Sequence, residues 1–158
     1  MDWRQHESRS ASFNYQALDI SDGNLRQSVS GVFNQRLFAN EKHITTGGLE
    51  AFYENNSQPG GSYFNPDHNL SYGINLEHDW MTWRGDEQRS FNQHFELGTG
   101  INQQAGFSGK SYVNALYQHE WQLNRRWQIN YGIGWGSQVY DGNREQRTYG
   151  VLGLSGAF

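Results

Sequence analysis

The side chains of this sequence that could do chemistry are carboxylates and histidines in segments of alternating polarity. Two dipeptides place a histidine beside an acid, His78-Asp79 and His119-Glu120, and His94 stands apart from both. A histidine beside a carboxylate suits a metal site or an acid–base pair. In an extended chain, however, neighbouring side chains point to opposite faces. We therefore predict that each of these two histidines lies away from its acidic neighbour.

Catalysis by a serine, a histidine and an acid is a second possibility. It would need a serine beside His94, and Ser90 and Ser111 meet this need by composition only. A hydrolase of the cell envelope therefore stays as an alternative, and no catalytic residue is assigned. The chain has no cysteine, which excludes disulfides, thiolate metal sites and cysteine nucleophiles. We expect no metal and no cofactor.

A set of carboxylates shares one face of the alternating segments. Carboxylates on neighbouring strands would raise the local concentration of cations in a narrow conduit. The interior of a barrel of eight strands is packed with side chains, where so many like charges would be costly unless they were paired or protonated. The set therefore favours a wider conduit. It consists of Glu50, Glu54, Glu77, Asp79, Glu96 and Glu120, offset by Arg26 and Arg36.

Residues 69–83 show the pattern that positions these groups. In steps of two, one face is apolar and aromatic, and the other is small, polar and acidic. A period of two predicts a strand. The same alternation recurs in eight segments, at about 7–19, 25–39, 43–55, 69–83, 90–103, 111–124, 127–139 and 148–158.

The connections between these segments alternate in length. They are tight after the second, fourth and sixth segments, and longer after the third, fifth and seventh, where SQPGGSYFNPDH, AGFSGK and YDGNREQR are the predicted loops. Outer-membrane barrels alternate in this way between short periplasmic turns and longer outside loops. We predict an all-β, antiparallel, up-and-down transmembrane barrel in a Gram-negative outer membrane. A soluble, lipocalin-like barrel is the alternative, but it needs a full aliphatic interior.

Aromatic residues on the apolar face predict a membrane anchor, because amphipathic rings prefer the headgroup level of a bilayer. The last residue, Phe158, is in phase with Leu152 and Leu154 and suits the signal by which the barrel assembly machinery recognises its substrates. The predicted lipid-facing girdle consists of Tyr72, Trp80, Trp121, Trp127, Trp135 and Phe158.

Charge and hydropathy narrow the remaining function classes. The net charge is -4, and the 12 lysines and arginines are scattered, which argues against a nucleic-acid partner. No run approaches the roughly 18 apolar residues of a membrane helix. The first residues, MDWRQHESRS, lack the apolar centre of a signal peptide. We therefore expect the natural protein to begin upstream of residue 1.

Four runs resemble the barrel of the PgaA-type porins, which export poly-N-acetylglucosamine in biofilm-forming Gram-negative bacteria. They are SYFNPDHNLSYGINLEHDWMTW, RSFNQHFELGTGINQQ, YQHEWQLNRRW and VYDGNREQRTYGVLGLSGAF. Their most specific pieces are YFNP before the strand that ends in DWMTW, the paired glycines of LGTG, and YDG followed by Glu145. The resemblance covers about residues 60–158 well and the first strands less clearly.

The resemblance implies a barrel of sixteen strands behind a periplasmic helical-repeat domain. Residues 1–158 would then be a single barrel segment, a fragment without the signal peptide and the helical repeats. The implied partners are a partly deacetylated, and so partly cationic, amino-sugar polysaccharide, outer-membrane lipid, and export components of the periplasm and the inner membrane.

The implied role is transport rather than catalysis. Hydrated carboxylates would attract the ammonium groups of the polymer, and Trp83 and Tyr112, expected on the inner face, would stack on sugar rings. The alternative is a small closed barrel of eight strands with a structural, adhesive or lipid-modifying role.

Overall fold

One antiparallel sheet makes up the chain, which the computed structural model describes at residues 2–5, 8–60, 63–86 and 88–157. Each strand pairs with the next along the sequence, and the sheet is open, with β1 and β9 at its edges. The described strands are β1 (Asp2–Gln5), β2 (Arg9–Asp19), β3 (Leu25–Ala39), β4 (His43–Asn56), β5 (His68–Arg84), β6 (Ser90–Gln104), β7 (Lys110–Gln122), β8 (Trp127–Tyr140) and β9 (Asn143–Gly156).

The up-and-down arrangement of antiparallel strands confirms the predicted fold class. Strands β3 to β9 are 13 to 17 residues long, whereas strands of soluble proteins are usually about five to six residues. The short β1 adds a strand that the sequence pattern did not reveal. No helix among the described residues is long and apolar enough to cross a membrane.

The connection between β8 and β9 differs from the predicted loop. It is a turn of Asp141 and Gly142, whose φ angles of 46° and 72° are both positive, as a type I′ hairpin requires. Most of YDGNREQR is therefore strand. The connections 85–89 and 105–109 span equal lengths, so the predicted difference between short and long ends rests mainly on the connection 57–67.

The connection 57–67 is tied to the turn between β2 and β3. Asn24 is fully buried there, and its Nδ2 donates to Asn56 Oδ1 and to the Tyr63 hydroxyl, both at 3.1 Å. The backbone N–H of Asn24 and the Tyr63 hydroxyl donate to Asp22 and hold the pKa of its carboxyl below the usual value. The ionised form that accepts these bonds is lost only as the pH falls through that lowered pKa.

The two faces of the sheet differ sharply. Apolar side chains such as Ile74, Ile133 and Leu152 point outward and are 56%, 58% and 83% exposed. The other face is the concave, inner one, because one cavity on it is lined by side chains of distant strands, from Ser30 of β3 to Gln138 of β8. Among the described residues, Val139 is the one hydrophobic side chain that is buried. A soluble barrel would need an apolar interior, so the outward apolar face must meet another apolar phase.

Candidate functional site

Two carboxylates stand directly opposite each other on the inner face. The register pairs Glu77 of β5 with Glu96 of β6, and the same row continues through Thr46 to Arg36. Like charges at directly opposite positions of a sheet destabilise it. Asn114 Nδ2 donates to Glu96 Oε1 at 3.4 Å, which offsets part of this repulsion. The register therefore brings two carboxyl groups together on the inner face.

The next two inner-face rows add further carboxyl groups. Asp79 pairs with His94, and His94 Nδ1 lies 2.7 Å from Asp79 Oδ1. Glu120 follows in the row of Met81 and Asn92. We call Glu77, Asp79, Glu96 and Glu120 the acidic patch. The histidine that contacts Asp79 comes from the neighbouring strand, so the sequence contained both residues without showing that they meet.

Tyr112 and Glu50, both predicted on the inner face, are joined directly. The Tyr112 hydroxyl donates to Glu50 Oε1 at 2.6 Å, although two strands lie between them. The register aligns the row Glu50, Gly73, Gly100 and Tyr112. A Cβ at Gly73 would come within 2.3 Å of the Tyr112 hydroxyl oxygen, and one at Gly100 within 2.5 Å. The ring therefore lies along the wall of the sheet, and the two glycines make room for it.

The space beneath the Tyr112 ring gives a direct test by substitution. In Gly73→Ala the new Cβ would also lie 2.6 Å from the backbone oxygen of Thr99, which cannot move away easily. We expect the barrel to lose about 1–3 kcal/mol of unfolding free energy, as overpacked sites do. Urea unfolding in detergent measures the loss. The control is Gly136→Ala on the same face, where the nearest atom would be 4.0 Å away. Equal stability of the two variants would contradict this account of Tyr112.

Side-chain amides lie against other inner-face glycines in the same manner. A Cβ at Gly48 would come within 1.9 Å of Asn75 Oδ1 and 2.6 Å of Asn34 Oδ1, and one at Gly98 within 2.4 Å of Asn114 Oδ1. These residues belong to one row across β3 to β7. Amides and rings that lie along the wall keep the inner face open. These asparagines could not be singled out from the sequence, because their only signal is an alternation with glycine across strands.

Trp83 lies on the outward face, and its predicted place on the inner face is wrong. A bulge between Met81 and Trp83 shifts the register, so that Trp83 pairs with Phe91. Phe91 in turn stacks on Trp121 with ring centroids 4.2 Å apart. One extra residue in a strand turns every following side chain to the other face. Trp83 therefore belongs with the outward aromatic residues and not with the inner carboxylates.

Glu54 is placed differently from the other inner carboxylates. It is almost completely buried beneath the connection 57–67, with Arg26 Nε at 3.8 Å and Asn56 Nδ2 at 3.5 Å. These partners give it a structural role. Cationic residues besides Arg26 and Arg36 lie on the inner face as well, among them Arg4, Lys110 and Arg147. Lys110 donates to the carbonyl of Gly142, and Arg147 lies over the Tyr149 ring at 5.3 Å.

The predicted girdle residues within the described part of the chain point outward. Tyr72, Trp80 and Trp135 are exposed, whereas Trp121 and Trp127 are half-buried by neighbours. Phe158 lies outside the described residues. On the outward face His43 stacks on Trp80 with ring centroids 5.7 Å apart. Together these rings form the polar-tipped aromatic surface expected where a strand meets the headgroups.

The structure places His78 and His119 on this outward face, away from Asp79 and Glu120. His78 contacts His43 and Phe95, and His119 contacts Phe91, Tyr117 and Tyr131. Within the described ranges, no three histidine or acidic side chains are grouped to hold a metal ion.

An open antiparallel sheet of long strands, with apolar side chains outside and polar ones inside, defines a segment of a transmembrane β-barrel. The family model of the PgaA membrane beta barrel domain matches residues 1–158. The chain belongs to this family, and it is an outer-membrane protein segment.

The known relatives are longer than this chain. It is 26% identical over 147 residues to the poly-beta-1,6-N-acetyl-D-glucosamine export protein of Escherichia coli K12, covering 93% of this chain and 18% of that protein. The protein of E. coli O157:H7 gives the same values. A solved structure of a bacterial polysaccharide outer membrane secretin superposes with a TM-score of 0.94 at 25% identity, over 99% of this chain and 54% of that chain. The chain therefore spans about half of the solved relative and less than a fifth of the curated ones.

Proposed function

We propose that this chain forms part of a pore that exports a partly deacetylated poly-N-acetylglucosamine across the outer membrane. The observation that carries the proposal is the mainly polar inner face, which holds the acidic patch and Glu50 behind an apolar outward face. The names of the relatives, an export protein for this polymer and a polysaccharide secretin, support the substrate class. The role is transport, and no catalytic set is assigned.

The acidic patch gives the proposed pore its mechanism. Deacetylated units carry ammonium groups, and carboxylates on adjoining strands raise their concentration at the inner face. Each solvated ion pair contributes only about 0–1 kcal/mol, so no single carboxylate holds the polymer for long. A chain that meets many weak sites can slide from one to the next. The flat amides over Gly48 and Gly98 leave room for this movement.

The open sheet supports a barrel with further strands. β9 (Asn143–Gly156) pairs with β8 on one side only. An unpaired strand edge is not tolerated in the hydrocarbon layer of a membrane. We propose that the chain is a segment of a larger barrel, and that its natural protein also has a signal peptide and a periplasmic helical-repeat domain. The barrel assembly machinery, through Phe158, and export components of the periplasm and inner membrane are proposed partners.

Ion conductance tests whether the complete protein forms a pore. The natural, full-length protein reconstituted into a planar bilayer is expected to give stepwise conductance, because an open polar lumen passes hydrated ions. A closed eight-stranded barrel whose interior is filled by side chains serves as the control for insertion without conduction. Insertion of the full-length protein without conductance would favour the small closed barrel.

A further inference from the structure

The inner face has a cavity of about 350 Å³ beside the connection 57–67. This volume lies within the range of about 300–1,000 Å³ that is typical of small-molecule sites. Its walls come from strands β3 to β8 and from the connection itself. The lining residues that matter for its chemistry are Glu50, Phe52, Phe64, Asn102, Tyr112 and Tyr140.

Two aromatic rings line the cavity and are held in place. Phe64 and Tyr140 meet edge to face, with ring centroids 5.6 Å apart. Arg26 Nη2 donates to the backbone carbonyl of Phe64 at 2.7 Å, and the Tyr140 hydroxyl donates to Gln138 Oε1 at 2.7 Å. The C–H face of a pyranose ring packs well against an aromatic ring, because the ring is apolar and its face carries partial negative charge. These contacts prepare an apolar surface for a sugar before it arrives.

The polar groups of the cavity include free acceptors. The Tyr112 hydroxyl donates a hydrogen bond to Oε1 of Glu50 and makes none to the second oxygen of that carboxylate. Asn102 Nδ2 donates to Asn69 Oδ1 at 3.0 Å, but Asn102 Oδ1 is buried and has no hydrogen-bond partner within the described structure. A buried polar atom without a partner is costly and rare. A ligand with an ammonium donor would satisfy the second oxygen of Glu50, and a hydroxyl donor would satisfy Asn102 Oδ1 after that amide turns into the cavity.

We infer that this cavity is a subsite for one amino-sugar unit. Phe64 and Tyr140 pack against the sugar ring, Glu50 accepts from the ammonium group, and Asn102, once its amide has turned into the cavity, accepts from a hydroxyl group. The inference rests on the proposed function, and it adds a defined place where a unit of the polymer pauses. The acidic patch, in contrast, attracts the polymer without an aromatic surface. The subsite therefore distinguishes amino sugars from other cations, whereas the patch does not.

Calorimetric titration of the complete barrel protein in detergent tests the subsite. The probes are a β-1,6-linked glucosamine tetrasaccharide and its fully N-acetylated form. We expect Phe64→Ala to weaken the binding of both probes by about tenfold, because each sugar loses its contact with the ring. Glu50→Gln should weaken the binding of the glucosamine probe by about tenfold, since a charge-assisted hydrogen bond is lost. It should change binding of the acetylated probe less than about twofold.

Matched controls remove an exposed ring and an exposed carboxylate elsewhere. Phe38→Ala acts on the outward face, and Glu41→Gln acts in the connection 40–42. Both should bind the probes like the unmodified protein. Folding is judged by heat-modifiable mobility in gel electrophoresis. If Phe64→Ala does not fold, Phe64→Leu replaces it and should still weaken the binding of both probes.

The outcomes separate this inference from the proposed function. Export of polymer by cells whose purified protein binds neither probe would overturn the subsite and leave the export function standing. Unchanged binding in Phe64→Leu and Glu50→Gln would also overturn it. Insertion of the full-length protein into the bilayer without conductance would overturn the proposed pore function, even if the protein still bound the probes.

Discussion

Replacing Glu77, Asp79 and Glu96 together by glutamine, asparagine and glutamine is expected to slow polymer export at least about tenfold. Clefts lined by charge of one sign raise association rates by about 10–10³, and these three carboxylates lie on adjoining strands, two of them directly opposite each other. Surface polymer on cells that carry the full-length variant measures the effect. The amounts of variant in the outer membrane must be matched to those of the unmodified protein.

The control for this experiment changes the net charge equally but outside the inner face. Glu41, Asp86 and Asp141 lie in three connections between strands, and their amide variants should export at the normal rate. Equal export by both triple variants would show that the position of the carboxylates does not matter. A charge-based mechanism at the acidic patch would then be wrong.

Placing an arginine at Ile133 is expected to lower the free energy of unfolding in lipid by about 2–4 kcal/mol. A cationic side chain on the lipid face of a barrel has this effect at the bilayer midplane, and Ile133 is exposed on the outward face at the centre of β8. Folding into lipid vesicles over a urea series gives the free energy directly.

Leu116→Arg is the matched control on the other face. Leu116 of β7 pairs with Gly134, next to the pairing of Tyr117 with Ile133, so the two positions lie at neighbouring rows on opposite faces. An arginine at Leu116 lies on the inner, polar face, so it should lower the free energy of unfolding much less than Ile133→Arg does. If Leu116→Arg lowers the free energy of unfolding as much as Ile133→Arg, the assignment of the lipid and inner faces is wrong.

Strand positions were the part of the fold that the sequence predicted best. The limits of β3 agree with the predicted 25–39, and those of β5 differ by one residue at each end. In both strands the alternation persists over the whole length, because one face meets lipid and the other the inner space. The same parity placed Glu50, Glu77 and Tyr112 on one face without knowledge of their partners.

The start of β9 was missed for a physical reason. Its first residues, NREQR, carry no apolar side chain in either phase, so alternation gives no signal there. The Asp-Gly pair before them was the better evidence, since it favours a tight hairpin. The bulge after Met81 has no comparable signature, and it turned Trp83 to the outward face.

Contacts between strands were not predictable from one sequence. The bond from Tyr112 to Glu50 depends on the registers of three strand pairs, and it spans 62 residues of sequence. The contact between Asp79 and His94 depends on a single register. Parity assigns a residue to a face, but only the register decides which residues of that face meet.

The ion selectivity of the complete protein is the most direct test of the acidic inner face. The reversal potential across a planar bilayer under a KCl gradient gives the permeability ratio of K⁺ to Cl⁻. We predict a clear preference for K⁺, and we expect the permeability ratio to move toward unity in the Glu77, Asp79 and Glu96 amide variant. A preference for Cl⁻, or a ratio that the three substitutions leave unchanged, would contradict it.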